Sequence, residues 1–180
     1  MKIPIKIIQV NTGNKLKNVI IFNSTDYFEL KHDSTLKIKK FEKLYSDVVE
    51  KISKIKGEKY GALSSSKYYE LGVILKNFNI KKEHDFEIKN YNNSISRDFG
   101  LSKDYIYDLI TVAEIFKKSE IIDSVPFSFY RALKRKRKEL ENIGIFEQEK
   151  KRLNKMAKMN QLPGREQYKI ELVEMIKNSQ

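Results

Sequence analysis

The chain has 180 residues, with 36 Lys and Arg against 24 Asp and Glu, which gives a formal net charge of +12 at pH 7. It contains no Cys and only two His, so disulfides, thiolate metal sites, a Cys nucleophile and a His-rich metal site are excluded. No stretch approaches the roughly 20 apolar residues of a membrane span, and we expect a cytoplasmic protein without membrane association. The excess of positive charge favours a polyanionic partner.

The first 60 residues are predicted to contain strands. Alternating apolar residues predict strands over 3–10 and 16–22, and shorter strands over 26–30 and 35–38. Apolar residues then recur at helical spacing from Phe41 to Ile55, which predicts an amphipathic helix. We therefore predict an N-terminal region, 1–60, with a short β-hairpin as the candidate dimer interface, and a multi-helix domain over 61–180. The predicted fold class is α+β, mainly α.

The most specific pattern is that of a helix-turn-helix between Asn92 and Leu109. Ser96 is small where two helices would touch, Gly100 allows the positive φ of a tight turn, and Ser102 can cap a second helix that begins at Lys103. An ordinary helical hairpin with a Gly turn is the alternative interpretation. If the second helix enters a major groove, the predicted base-reading residues are Ser102, Lys103, Asp104, Tyr105, Tyr107 and Asp108.

The positive charge lies mainly outside this pattern. Residues 61–125 carry 9 basic and 10 acidic side chains, whereas residues 126–180 carry 14 and 7. Helical spacing predicts helices over 128–140, 145–158 and 165–177, and Pro163 and Gly164 break the chain before the last of them. The first two helices have basic faces opposite apolar faces that contain Leu133, Leu140 and Leu153. A solvated basic surface is the alternative interpretation of these faces. The predicted phosphate contacts are Arg97, Arg131, Lys134, Arg135, Lys138, Lys151, Lys155 and Lys158.

Two segments resemble known DNA-binding proteins. The run Tyr68-Tyr69-Glu70-Leu71-Gly72, on a predicted helix over 67–78 capped by Ser66, precedes a polar loop around 81–85 and then the helix-turn-helix. This order is similar to helix-turn-helix domains of phage and plasmid proteins. The run Val125-Pro126-Phe127-Ser128-Phe129-Tyr130-Arg131-Ala132-Leu133 resembles the helix that follows the helix-turn-helix in ParB/KorB-type proteins, which bind DNA as dimers in plasmid partition or repression.

The resemblance covers residues 67–140 and carries implications for particular residues. It implies that Ser96 to Asp108 reads bases and that the helix of Arg131 supports this unit. Tyr130 stands where the ParB/KorB family often has His, and the Arg-rich nucleotide-binding motif of that family is absent. The nucleotide-dependent clamp chemistry of the family is therefore not implied.

These patterns favour a double-stranded DNA-binding protein, acting as a transcriptional regulator or as a plasmid or viral maintenance factor. We expect a homodimer, because one recognition helix reads few base pairs. No phosphate-binding loop or nucleophile motif occurs, and the pairs His32-Asp33 and His84-Asp85 lack further ligands, so we expect no enzyme, metal, cofactor or small-molecule ligand. Three alternatives stay open: an RNA or single-strand binder, a structural or protein-interaction component, and a carboxylate-metal nuclease.

Overall fold

A computed structural model describes residues 5–11, 16–22, 27–29, 43, 47–48, 50–55, 63–85 and 101–179, with side chains at 43, 47–48, 50–55, 63–78 and 101–179. The chain divides into two compact units. The first combines Met1–Tyr60 with Ile74–Tyr107, and the second combines Gly61–Val73 with Asp108–Gln180. The predicted division into 1–60 and 61–180 stays a prediction.

Three strands are described near the N-terminus: β1 (Ile5–Asn11), β2 (Leu16–Phe22) and β3 (Tyr27–Glu29). Their backbones pair antiparallel in the order β1-β2-β3, with Ile5 opposite Phe22. The predicted α+β fold class is nevertheless wrong for the part of the chain that is described with its side chains, which is 78% helical and has no strand or sheet. Apolar alternation predicts local strand pairing, but fold class follows from the packed core. Every buried side chain described belongs to a helix or to a connection between helices.

Six α-helices are described from residue 63 onward, with a short 3-10 helix over Lys118–Glu120. Earlier in the chain, residues 50–55 are also helical, and Val48, Ile52 and Ile55 are buried at the predicted spacing. The six helices are α1 (Ser65–Asp85), α2 (Lys103–Ile115), α3 (Phe127–Arg135), α4 (Arg137–Asn142), α5 (Phe146–Lys158) and α6 (Arg165–Asn178).

The starts of three helices agree with the predictions, whereas α1 differs from its prediction at both ends. Helices α2, α5 and α6 begin within one residue of their predicted starts. Helix α1 begins earlier than predicted, because the cap is Ser64 and not Ser66: the Lys67 amide donates to the Ser64 hydroxyl over 3.4 Å. It also continues through the predicted polar loop at 81–85, since Lys and Glu are good helix formers.

The single helix predicted over 128–140 is wrong, because α3 and α4 are separated at Lys136. The Lys136 amide donates to the Leu133 carbonyl over 3.1 Å, and the Leu140 amide donates to the Lys136 carbonyl over 3.0 Å. Both leucines are fully buried, as the apolar spacing predicted. No Gly or Pro marks this interruption, so the sequence carries no local signal for it.

Within the second unit, α1 and α2 approach closely at Gly72. A Cβ atom at this position would lie 2.2 Å from the Leu109 carbonyl oxygen and 3.0 Å from the Cβ of Ala113. Only glycine leaves room for such an approach of two backbones. The Gly72 position therefore fixes how the start of α1 packs on the second half of α2.

Tyr130 anchors the connection between α2 and α3. Its hydroxyl accepts a hydrogen bond from the Ile122 amide over 2.8 Å and donates to the Glu120 carbonyl over 3.3 Å, and its ring packs edge-on against Phe116. Burial raises the pKa of Tyr130 to about 12, so the hydroxyl keeps its proton at neutral pH. The position at which the ParB/KorB family often has His is thus a structural anchor in this chain.

Candidate nucleic-acid interface

The start of α2 is an exposed, capped helix end. The Tyr105 amide donates to the Ser102 hydroxyl over 3.2 Å, which confirms the predicted cap. Ser102, Lys103 and Asp104 are exposed, Tyr105 is half-buried, and Tyr107 is 64% exposed. Five of the six predicted base-reading residues are therefore open to solvent in whole or in part. The first helix of the predicted helix-turn-helix, with Ser96, Arg97 and Gly100, lies outside the described residues.

Asp108, the sixth predicted base-reading residue, does not face outward. It is only 3% exposed, and three cations of α3 hold its carboxylate. The Arg131 guanidinium lies 2.6 Å from Oδ2, the Lys134 ammonium 2.8 Å from Oδ1, and Arg135 3.4 Å from Oδ2. A buried carboxylate needs such partners, because it has lost its hydration. The prediction that Asp108 reads bases is corrected accordingly.

The protonation state of Asp108 follows from the same contacts. Burial by itself would raise the pKa of Asp108, but hydrogen bonds and charge from Lys134 and Arg131 outweigh burial and hold this pKa below its ordinary value of 3.8. The carboxylate is therefore charged at neutral pH. Its ion pairs with Arg131, Lys134 and Arg135 connect α2 to α3 within the second unit.

The same network changes the assignment of three predicted phosphate contacts. The Lys134 side chain is only 10% exposed, which does not fit the prediction that it reaches a phosphate. Arg131 is 26% exposed and Arg135 is 58% exposed, and each shares its charge with Asp108. Three of the four cations on this predicted basic face thus pair with one buried carboxylate, and Lys134 is the one among them that is nearly buried.

A second set of predicted phosphate contacts stays exposed. Lys151, Lys155 and Lys158 lie on one face of α5 at spacings of four and three residues, and we call them the α5 lysine stripe. None of them forms an ion pair with a described residue, and the same holds for the exposed Lys138 on α4. Glu147, one turn before Lys151, is engaged by Lys150 at 3.1 Å. The stripe therefore carries charge that no described carboxylate neutralises.

Sequence reasoning missed one buried cation, Lys150. Its ammonium lies 2.8 Å from the Glu120 carboxylate and 5.3 Å from the centre of the Phe116 ring. Lys150 follows Phe146 by four residues and precedes Leu153 by three, so it falls on the apolar face of α5. That spacing was the available signal that Lys150 is internal, unlike its neighbour Lys151.

Comparison with known proteins gives no further guide to the site. No protein-family model, curated protein or solved structure matches the chain. Within the described ranges, no group of three or more His, Asp or Glu side chains is placed to hold a metal ion. None of the helices described is long and apolar enough to cross a bilayer.

Proposed function

We propose that this protein binds double-stranded DNA, with the exposed start of α2 reading bases and the α5 lysine stripe contacting phosphates. The observation that carries the proposal is the stripe: three exposed lysines, on one helix face, without a described carboxylate partner. The stripe extends about 10 Å along the helix axis. Each exposed lysine can neutralise one phosphate of a duplex, so the three lysines of the stripe can contact a short run of phosphates.

The α2 start supports base reading rather than phosphate binding. It presents Lys103, Asp104 and Tyr107 to solvent at the N-terminal end of a helix, where recognition helices contact base edges. Its single lysine and its aspartate supply little general affinity for a polyanion. We therefore assign sequence specificity to the start of α2 and general affinity for DNA to the α5 lysine stripe. A regulator or a plasmid or viral maintenance factor acting as a homodimer would use both.

The affinity half of the proposal is tested by the salt dependence of duplex binding. Each phosphate contact contributes about 0.9 to the slope of log K against log salt, so the triple variant Lys151→Gln, Lys155→Gln, Lys158→Gln should have a slope smaller by about 3. A matched control, Lys51→Gln, Lys118→Gln, Lys177→Gln, removes the same charge from exposed but separated positions. It should change the slope by less than about 1. Equal slopes for the two triple variants would refute the phosphate assignment.

The specificity half is tested by selection from a random duplex pool with the full chain. Recovery of an inverted repeat supports both base reading and a dimer, because half-site symmetry mirrors protein symmetry. Recovery of no preferred sequence refutes base reading by α2. If single strands compete better than duplex of the same length, stacking on exposed aromatic side chains such as Tyr107 replaces the duplex proposal.

A further inference from the structure

A cavity of about 290 Å³ lies between α3 and α6 in the second unit. One part of its wall is apolar and consists of Ala132, Leu172 and Val173. The other described lining residues are Ser128 and five cations, whose aliphatic stems add to a mainly apolar wall, and none of the described lining residues is acidic. The five cations are Arg131, Arg135, Lys136, Arg165 and Lys169.

The carboxylates that pair with these cations lie outside the cavity lining. Asp108 holds Arg131 and Arg135, as described above, while Lys136 pairs with Glu139 at 3.2 Å. Glu166 serves both Arg165, at 3.7 Å, and Lys169, at 2.7 Å. Three described carboxylates thus pair with five cations, and of these residues only the cations are among those that line the cavity. The described lining residues therefore carry an excess of formal positive charge, which favours an anionic group in an occupant.

We propose that this cavity binds a small molecule with an anionic end, a phosphate or a carboxylate, and an apolar or aromatic body. Guanidinium groups match such an anionic end through paired hydrogen bonds. The wall of Ala132, Leu172 and Val173 would contact the body, as in typical ligand sites where apolar surface supplies area and a few polar groups orient the ligand. An inorganic anion alone would leave this wall and most of the volume unused. The inference does not depend on DNA binding.

The test uses three probes that separate the two halves of the ligand. The full chain is titrated by calorimetry at low salt with 1-naphthyl phosphate, 1-naphthol and inorganic phosphate. We expect 1-naphthyl phosphate to bind at least about tenfold more tightly than either of the others, because it alone uses both the cations and the apolar wall. Absence of binding by 1-naphthyl phosphate at millimolar concentration, or equal binding by either simpler probe, overturns the proposal.

The site is located by removing two cavity cations from α6. The double variant Arg165→Gln, Lys169→Gln should weaken 1-naphthyl phosphate binding about tenfold or more. The control double variant Lys118→Gln, Lys177→Gln should change this affinity less than about twofold, because these two lysines are exposed but do not line the cavity. Both lost cations are partly exposed, so the fold should tolerate their removal, and circular dichroism checks this. Equal losses in the two double variants overturn the assignment.

A third comparison separates a small-molecule site from a site for a DNA phosphate. Random duplex DNA is titrated into the complex with 1-naphthyl phosphate and, separately, into the Arg165→Gln, Lys169→Gln variant. We expect this variant to keep duplex affinity within about threefold while it loses the small anion. If both ligands are lost together and duplex displaces the probe, the cavity is a DNA phosphate contact and the small-molecule proposal is overturned.

Discussion

Replacing Asp108 by Asn removes one buried charge and keeps the size and shape of the side chain. The variant removes the carboxylate that Arg131, Lys134 and Arg135 share. Lys134 is affected most, because its side chain is only 10% exposed and cannot regain hydration without movement. Arg131 is 26% exposed and is partly hydrated, while Arg135, at 58%, can turn to water.

These exposures set the expected size of the effect. Removing one partner of a buried ion pair costs about 3–5 kcal/mol of unfolding free energy. The Arg135 pair counts as a surface pair, worth less than about 1 kcal/mol, and the Asn amide oxygen can still accept one hydrogen bond. We therefore expect a loss of about 3 kcal/mol, near the low end of the range. That is a large share of the about 5–15 kcal/mol that stabilises a typical domain.

The assay is urea unfolding at pH 7 followed by circular dichroism. The matched control is Glu141→Gln, which breaks the 2.6 Å ion pair with Arg137 in which both side chains are almost half exposed. The control should lose less than about 1 kcal/mol. Adding Lys134→Met to Asp108→Asn should cost less than the sum of the two single changes, because the two groups interact directly.

The pH dependence supplies an independent check. Since the pKa of Asp108 is lowered in the folded protein, its stabilisation is complete above the ordinary value of 3.8 and is lost as pH falls through the lowered value. The gap in unfolding free energy between the parent chain and Asp108→Asn should thus be constant near neutral pH and shrink below about pH 4. If Asp108→Asn is as stable as Glu141→Gln at pH 7, the carboxylate is not held by α3, and an outward, base-reading Asp108 becomes tenable again.

Two further substitutions probe the packing of the second unit. Gly72→Ala should lower the unfolding free energy by about 2 kcal/mol despite the better helix propensity of Ala, because the new Cβ meets the Leu109 carbonyl. The control is Gly164→Ala, which has open space around it and should change the unfolding free energy by less than about 1 kcal/mol. Both are measured by urea unfolding. Tyr168→Phe should leave the melting temperature unchanged or raise it, since the buried hydroxyl forms no hydrogen bond of normal geometry with a described residue, and burial together with the nearby Glu149 carboxylate raises its pKa. A fall of several degrees would show that the hydroxyl is satisfied.

Local features of the chain were predictable where one or two neighbouring residues decide the outcome. Ser102 caps α2 at the expected residue, since capping requires only a hydroxyl and an amide three positions later. The break before α6 follows from Pro163 and Gly164, which cannot continue a helix well. Apolar spacing likewise identified Leu133, Leu140 and Leu153 as core residues, because the helical period holds regardless of the partner surface.

The placement of charge was not predictable from the same information. Spacing along α2 makes Asp108 a plausible outward residue, yet its partners Arg131, Lys134 and Arg135 lie 23 to 27 positions later. Whether a carboxylate and three cations meet depends on how α3 packs, and no local rule contains that. The same holds for Lys150, which differs from Lys151 only in the direction it faces across α5.

The net charge of +12 and the helical periods follow from residue types alone. The fold decides which cations are available to a ligand, because an ion pair neutralises the charge of a cation and burial shields it from solvent. Lys134 and Lys150 serve the interior, the α5 lysine stripe stays exposed, and the α3–α6 cavity collects five cations from segments about 30 residues apart. Charge composition sets how much attraction a chain has for anions, but helix packing decides where that attraction is exerted.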